Sequence, residues 1–284
     1  MKVHYECLSC FITQSQKISE LATEDLEKRK EAMIVAAKAV QKYYHRNAVP
    51  AIGGSLLFLE LYRLLENDDP FKEYKRISNK LAKKVVEELR KELKIGLKDA
   101  LKLAIAGNVI DFAVGYNPEK IEEDIEHRLN EELYIDESEE LFKSLENAKT
   151  LLYLVDNCGE IYFDRLFLEK IEEAYPALKI YIAAKEAPII NDATVEDLKE
   201  ADFGKVGKIV SSGSRIVGNP LEFADEKFRE IFERADVIIA KGQGNFEVMS
   251  ELKDGRIFFL LKAKCMPVAR ELGVPRGSMV CVRF

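Results

Sequence analysis

The stretch Leu151-Leu152-Tyr153-Leu154-Val155-Asp156-Asn157-Cys158-Gly159-Glu160 decides the fold. Its first five residues are all apolar, as a parallel strand buried on both faces requires. Asp, Asn and Gly then mark a polar turn. Beyond it, Ile161, Phe163, Leu166, Phe167 and Ile171 recur at helical spacing, which predicts an amphipathic helix over 161–174. Asp156 and Asn157 therefore stand at the carboxyl end of a parallel strand, where open α/β sheets bind ligands, beside a helix N-terminus that favours anions. A carboxylate and an amide oxygen there suit a hard cation such as Mg2+ or Mn2+. Taken alone, Asp156 is equally suited to capping the helix.

Downstream, apolar runs predict further strands at 180–184, 209–211, 237–240, 257–261 and 279–282. The first four strands are separated by plausible helices, the pattern of a doubly wound, mainly parallel sheet. Upstream the grammar is helical. Leu81, Val85, Val86, Leu89 and Leu93 make one stripe, Ala32, Ile34, Ala36 and Val40 another, and loops fall at 47–50, 67–70 and 116–118. The expected organisation is an all-helical domain over 1–147 and a Rossmann-like α/β/α sandwich over 148–284 that carries the functional site.

Length and composition narrow the class. The chain has 284 residues, 47% of them hydrophobic, enough for a sizeable core. With 43 Lys and Arg against 50 Asp and Glu, the net charge is -7, which argues against nucleic acid or an anionic membrane as the partner. No apolar run approaches the roughly 20 residues of a membrane span, and Met1 to Glu6 lacks a signal-peptide core. The expectation is a soluble, cytoplasmic protein of unspecified oligomeric state. Five cysteines with one close pair do not make a disulfide framework. Charged residues reach 33% and Gln appears only at 14, 16, 41 and 243, a thermophile-like usage.

Cys7-Leu8-Ser9-Cys10 is a CxxC without the second pair a structural zinc site needs, and without the preceding strand of a redox motif. Packed or loosely bridged thiols are the simpler reading. In Gly107-Asn108-Val109-Ile110-Asp111-Phe112, Asn108 and Asp111 share a helix face and interrupt an apolar stretch, so they need partners. Capping, interhelical bonds or a ligand would each serve.

Three further strand ends carry polar chemistry. The second leads through Lys185 and Pro188 to Asn191-Asp192-Ala193-Thr194, where Asp192 either caps a helix or adds a carboxylate to Asp156. The third ends in Ser211-Ser212-Gly213-Ser214, able to offer backbone N–H groups to a phosphate. The fourth ends in Lys241-Gly242-Gln243-Gly244-Asn245, an ammonium with glycines that permit close backbone approach. Carboxylates for a metal, with a lysine and backbone donors for an anion, are the parts list of phosphoryl chemistry.

Taken together these residues resemble the metal-dependent damage-control phosphatases. The resemblance covers nearly the whole chain. It includes the CxxC, Asp69-Pro70-Phe71 with Lys75 and Asn79, Asn108 with Asp111, and Asp156-Asn157-Cys158-Gly159-Glu160. It continues through Pro188 to Thr194, Ser212-Gly213, and Lys241 to Glu247. The CxxC resembles the stand-alone branch of the family, and Phe71 departs from the Tyr usual after Asp-Pro. The resemblance implies a helical domain on a Rossmann-like domain, and hydrolysis of small phosphometabolites with a divalent metal (Mg2+, Mn2+, Co2+ or Ni2+). It implies Asp156, Asn157 and Asp192 as metal ligands, and Asn108, Asp111 and Lys241 around the phosphate, where the turns at Ser212, Gly213 and Gly242 are expected to add backbone donors. Asp111 or Glu160 is the expected general base. The nucleophile is water or the Asp156 carboxylate, with Cys158 standing where aspartyl-phosphate enzymes place a second Asp. Two rivals are a non-catalytic nucleotide- or coenzyme-binding protein and an S-adenosylmethionine-dependent carboxyl methyltransferase. The second lacks the glycine-rich turn expected after the first strand.

Overall fold

The computed structural model describes residues 1–107 and 131–284. Asn108, Asp111 and the loop expected at 116–118 lie outside the described residues.

Five helices come first: α1 (Cys7–Ala22), α2 (Leu26–Tyr43), α3 (Pro50–Leu64), α4 (Lys72–Glu92) and α5 (Leu97–Ala106). Asp25 caps α2 by accepting from the N–H groups of Glu27 and Lys28, and Pro50 opens α3, both favoured devices at a helix start. Then follow β1 (Ile135–Asp136), α6 (Ser138–Asn147), β2 (Thr150–Leu154), α7 (Glu160–Ala174), β3 (Lys179–Ala184), α8 (Val195–Glu200), β4 (Lys208–Ser211) and α9 (Glu226–Arg234). The chain ends with β5 (Val237–Lys241), α10 (Gly242–Met249), β6 (Ile257–Lys262), α11 (Met266–Leu272) and β7 (Met279–Arg283).

The strands form one sheet in the order β1-β7-β6-β5-β2-β3-β4. All neighbours are parallel except β6 and β7, so the strand expected at 279–282 runs antiparallel to β6, with β1 at the edge beyond it. Strand β1 was not expected. Only two residues long, it pairs with β7 through Ile135 and Asp136, so the sheet draws on residues from both sides of the expected 147/148 boundary.

The chain runs from β2 to β3 and β4 on one side, then returns to place β5 and β6 on the other. The order of connection thus reverses between β2 and β5, and the crevice outside the carboxyl ends of these two strands is where such sheets bind ligands.

Alternation along the strands divides the core. Leu151, Tyr153 and Val155 face a layer containing α5 and α7, whereas Leu152 and Leu154 face Phe228, Phe246 and Val268 of α9, α10 and α11. A third cluster, Phe11, Leu57, Leu61 and Phe71 among others, binds α1 to α3 together and takes in Ile189 from the loop after β3. At about 1.5–3 kcal/mol per fully buried large apolar side chain, Ile189 is a firm anchor for that loop. No helix among the described residues is long and apolar enough to cross a membrane.

Candidate active site at the β2 and β5 strand ends

Backbone hydrogen bonds bring Asp156, Asn157 and Asp192 together. Past β2, the Ala193 N–H donates to the Asp156 carbonyl (2.8 Å) and the Cys158 N–H to the Asn191 carbonyl (2.9 Å). Asn157 and Asp192 form an antiparallel bridge. The loop from Pro188 to Asp192 is held in place from the helical side. The Tyr62 hydroxyl accepts from the Ile190 N–H (2.9 Å), and Arg215 donates to the carbonyls of Pro188 and Asp68. The turn into α7 is tied there too, since the Gly159 N–H, at a residue with φ of 85°, donates to Asn79 Oδ1 (2.7 Å).

Asp156, Asp192 and Glu160 are all buried, at 8%, 2% and 4% exposure. Asn157 Nδ2 donates to Asp156 Oδ2 (2.9 Å) and to Glu160 Oε1 (2.7 Å). With its amide hydrogens aimed at carboxylates, Asn157 is left with Oδ1 as a free acceptor. Burial, reinforced by the neighbouring Asp156, pushes the Glu160 carboxyl up to about 8. Burial also raises Asp192, to about 7, against the pull of Lys185. Lys185 Nζ lies 3.7 Å from Asp192 Oδ2 and donates to Asn219 Oδ1 at 2.7 Å. Asn219 in turn donates to Asn245, whose own amide donates to the Lys241 carbonyl, so one buried polar chain links three strand ends.

Two buried carboxylates, one of them beside Lys185, and the amide oxygen of the half-buried Asn157 are a hard, all-oxygen donor set. Among the described residues no group of three His, Cys, Asp or Glu side chains forms a fuller metal cluster. The residues present fit a divalent cation that keeps open positions.

Asp156, Asn157 and Asp192 open onto a cavity of about 360 Å³. Phe11, Pro50 and Phe58 supply an apolar wall from the helical side, and Gln243, Glu247 and Lys264 a polar one. Cys7, Cys10 and Cys265 also line it, all as free thiols; burial pushes the Cys7 thiol up to about 11. The CxxC thus turns thiols toward the cavity, where Cys265 joins it from a distant part of the sequence.

Three expected phosphate contacts lie elsewhere. Lys241 is fully buried and does not line the cavity. Its Nζ donates to Asp164 Oδ1 (2.5 Å) and to the Ala104 carbonyl (2.8 Å), and stands 3.9 Å from Glu160 Oε2. The Tyr153 hydroxyl donates to the same Asp164 oxygen (2.8 Å). Ser212 and Gly213 also turn inward. The Ser212 N–H donates to the Ala184 carbonyl and the Gly213 N–H to Ser211 Oγ, so neither is free for an anion. Gly213, at φ 68°, lies flush against Asp225, the N-cap of α9. Gly242 does approach the site closely, but what it admits is the Asp156 carboxylate. Glu160, expected as a base, is bonded to Asn157 and does not line the cavity. Asn219, Asp164 and Lys264 carry no motif signal of their own; only the fold assembles them.

A model of the damage-control phosphatase ARMT1-like domain matches residues 3–280. A damage-control phosphatase of Pyrococcus horikoshii is 58% identical over 283 residues, covering 100% of this chain and 98% of that protein. A damage-control phosphatase of Archaeoglobus fulgidus is 32% identical over 287 residues, covering 99% and 98%. The crystal structure of a DUF89 family protein from Pyrococcus horikoshii matches with a TM-score of 0.97 at 57% identity, covering 100% of this chain and 99% of that one. With the match spanning almost every residue and including the strand ends that build the cavity, the chain belongs to the damage-control phosphatase ARMT1-like family.

Proposed function

We propose that the protein is a metal-dependent phosphatase that hydrolyses phosphomonoesters of small metabolites. The observation that carries this reading is the convergence of Asp156, Asn157 and Asp192 on one cavity at the reversal point of the sheet. The names of its relatives give the phosphatase class; metal dependence and the ester substrate are our own inference.

Asp156, Asn157 and Asp192 are the residues that would hold Mg2+, Mn2+, Co2+ or Ni2+. Such a cation, when bound, neutralises charge on the phosphoryl group. The chain's own residues orient and enclose. Glu160 fixes the Asn157 amide through Nδ2, which turns Oδ1 toward use as a ligand. Lys241, paired with Asp164 beneath the site, compensates the buried Glu160. The apolar wall of Phe11 and Phe58 excludes water from one side of the substrate.

Hydrolysis of p-nitrophenyl phosphate and of a panel of small phosphate esters tests the proposal. It would be run after EDTA treatment and after re-addition of each metal, on the wild type and on Asp156→Ala. Metal-dependent release of phosphate that disappears in Asp156→Ala is the expected result. Folded protein that releases no phosphate with any metal would favour the ligand-binding rival.

A further inference from the structure

A phosphomonoester is a dianion at neutral pH, and the cavity it would enter is lined by the carboxylates of Glu6, Asp156, Asp192 and Glu247. A protein cation facing the substrate would offset this charge. The lysines around the site differ sharply in their freedom to do so. Lys241 Nζ is enclosed by Asp164 and the Ala104 carbonyl. Lys185 is shared between Asn219 and Asp192. Lys75, at 5% exposure, is held 2.7 Å from Asp69 Oδ2.

Lys264 is different. Among the described residues it is the cation that lines the cavity, it is exposed, and no hydrogen bond or ion pair within 4 Å holds its ammonium. It follows β6, the parallel neighbour of β5, and so stands at the same carboxyl edge of the sheet as Asp156. Its backbone is firmly placed: the Ala263 N–H donates to the Ser278 carbonyl (2.9 Å), and Arg276 Nε donates to the Lys264 carbonyl (2.9 Å). Its charge also reaches the site, since it acts to lower Glu160. A fixed backbone carrying an uncommitted ammonium at the cavity is an arrangement that suits an anion-binding lysine.

We propose that Lys264 binds the phosphate group of the substrate, the role that the position of Lys241 at a strand end had suggested for that residue. The inference rests on the phosphatase reading.

Inorganic phosphate is the probe. It would be titrated by calorimetry into the Mn2+-loaded full chain, and used as a competitive inhibitor of p-nitrophenyl phosphate hydrolysis. In Lys264→Gln, phosphate affinity should fall by about tenfold or more, and KM should rise by a larger factor than kcat falls. Lys264→Arg should keep phosphate affinity within about threefold of wild type, since it retains the charge. The melting temperatures of both should match wild type, because the ammonium has no partner to lose. If the wild type turns over and binds phosphate, yet Lys264→Gln binds it equally well, this inference is overturned and the phosphatase reading stands. If the wild type neither turns over nor binds phosphate, both fall together.

Discussion

A β-carbon placed on Gly242 would lie 1.8 Å from Asp156 Oδ2, at a residue whose φ is 76°. No side chain fits there, so the first glycine of the Lys-Gly-Gln-Gly turn serves the carboxylate beside it. In Gly242→Ala the left-handed backbone alone costs about 1–2 kcal/mol, and Asp156 has to move. A displacement of this kind can lower turnover about a hundredfold. The expected outcome is a folded, less stable protein with kcat/KM reduced on that scale, checked by thermal melting and steady-state kinetics. Wild-type activity in Gly242→Ala would show that the position of Asp156 is unimportant.

Lys241 and Asp164 form a buried pair in which each is the other's compensation. Lys241→Met strands the Asp164 carboxylate and should destabilise the fold by about 3–5 kcal/mol. Adding Asp164→Asn removes the stranded charge while leaving an acceptor for Tyr153, and should recover at least about half of that loss. Urea unfolding of the three variants gives the coupling. Additive losses would mean that the two side chains act independently.

Asn79 reaches from α4 to the turn after Asp156, where its Oδ1 accepts from the Gly159 N–H. Asn79→Ala orphans that donor, a cost of about 1–3 kcal/mol. Since the turn carries Asp156 and Asn157, metal affinity should also weaken by about tenfold or more. Calorimetric titration with Mn2+ separates the two effects, and unchanged affinity would restrict Asn79 to stability.

Protons and metal compete at this site. Burial raises Asp192 to about 7 and Glu160 to about 8, from ordinary values of 3.8 and 4.5. The folded metal-free protein therefore holds protons that the unfolded chain has lost. Its stability should decline as pH rises from about 4 to about 8. Metal binding needs the Asp192 carboxyl ionised, so it should release protons and tighten over pH 6 to 8. Titrations in two buffers of different ionisation enthalpy count the protons. Binding without proton release would contradict the raised values.

Much of this was legible in the chain. The Leu151 to Val155 run and the helix-spaced residues after it located β2, α7 and the Asp156 turn, because burial on both faces leaves an unbroken apolar signature. Strand β1 left no such mark: Ile135 and Asp136 are two residues whose strand character comes from pairing with β7. The antiparallel direction of β7 is likewise a matter of chain path that residue pattern does not encode. At the site, Lys241 shows how a motif misleads. Period-two alternation places it on the face of Val237 and Ile239, which packs against α5 and α7, and so into the core beside Asp164. That alternation was readable, but Asp164 stood among the charges of a helix with nothing to single it out. Lys264 was hidden for the opposite reason: an exposed lysine after a strand is ordinary until the cavity around it is known.

The most direct test of the account is to count the metal bound by EDTA-stripped protein as Mn2+ is restored, while following hydrolysis of p-nitrophenyl phosphate in the same samples. The account predicts that turnover rises in proportion to bound metal, and that Asp156→Ala and Asp192→Asn lose both together. Full turnover in metal-free protein, or undiminished metal binding by Asp156→Ala, would contradict it.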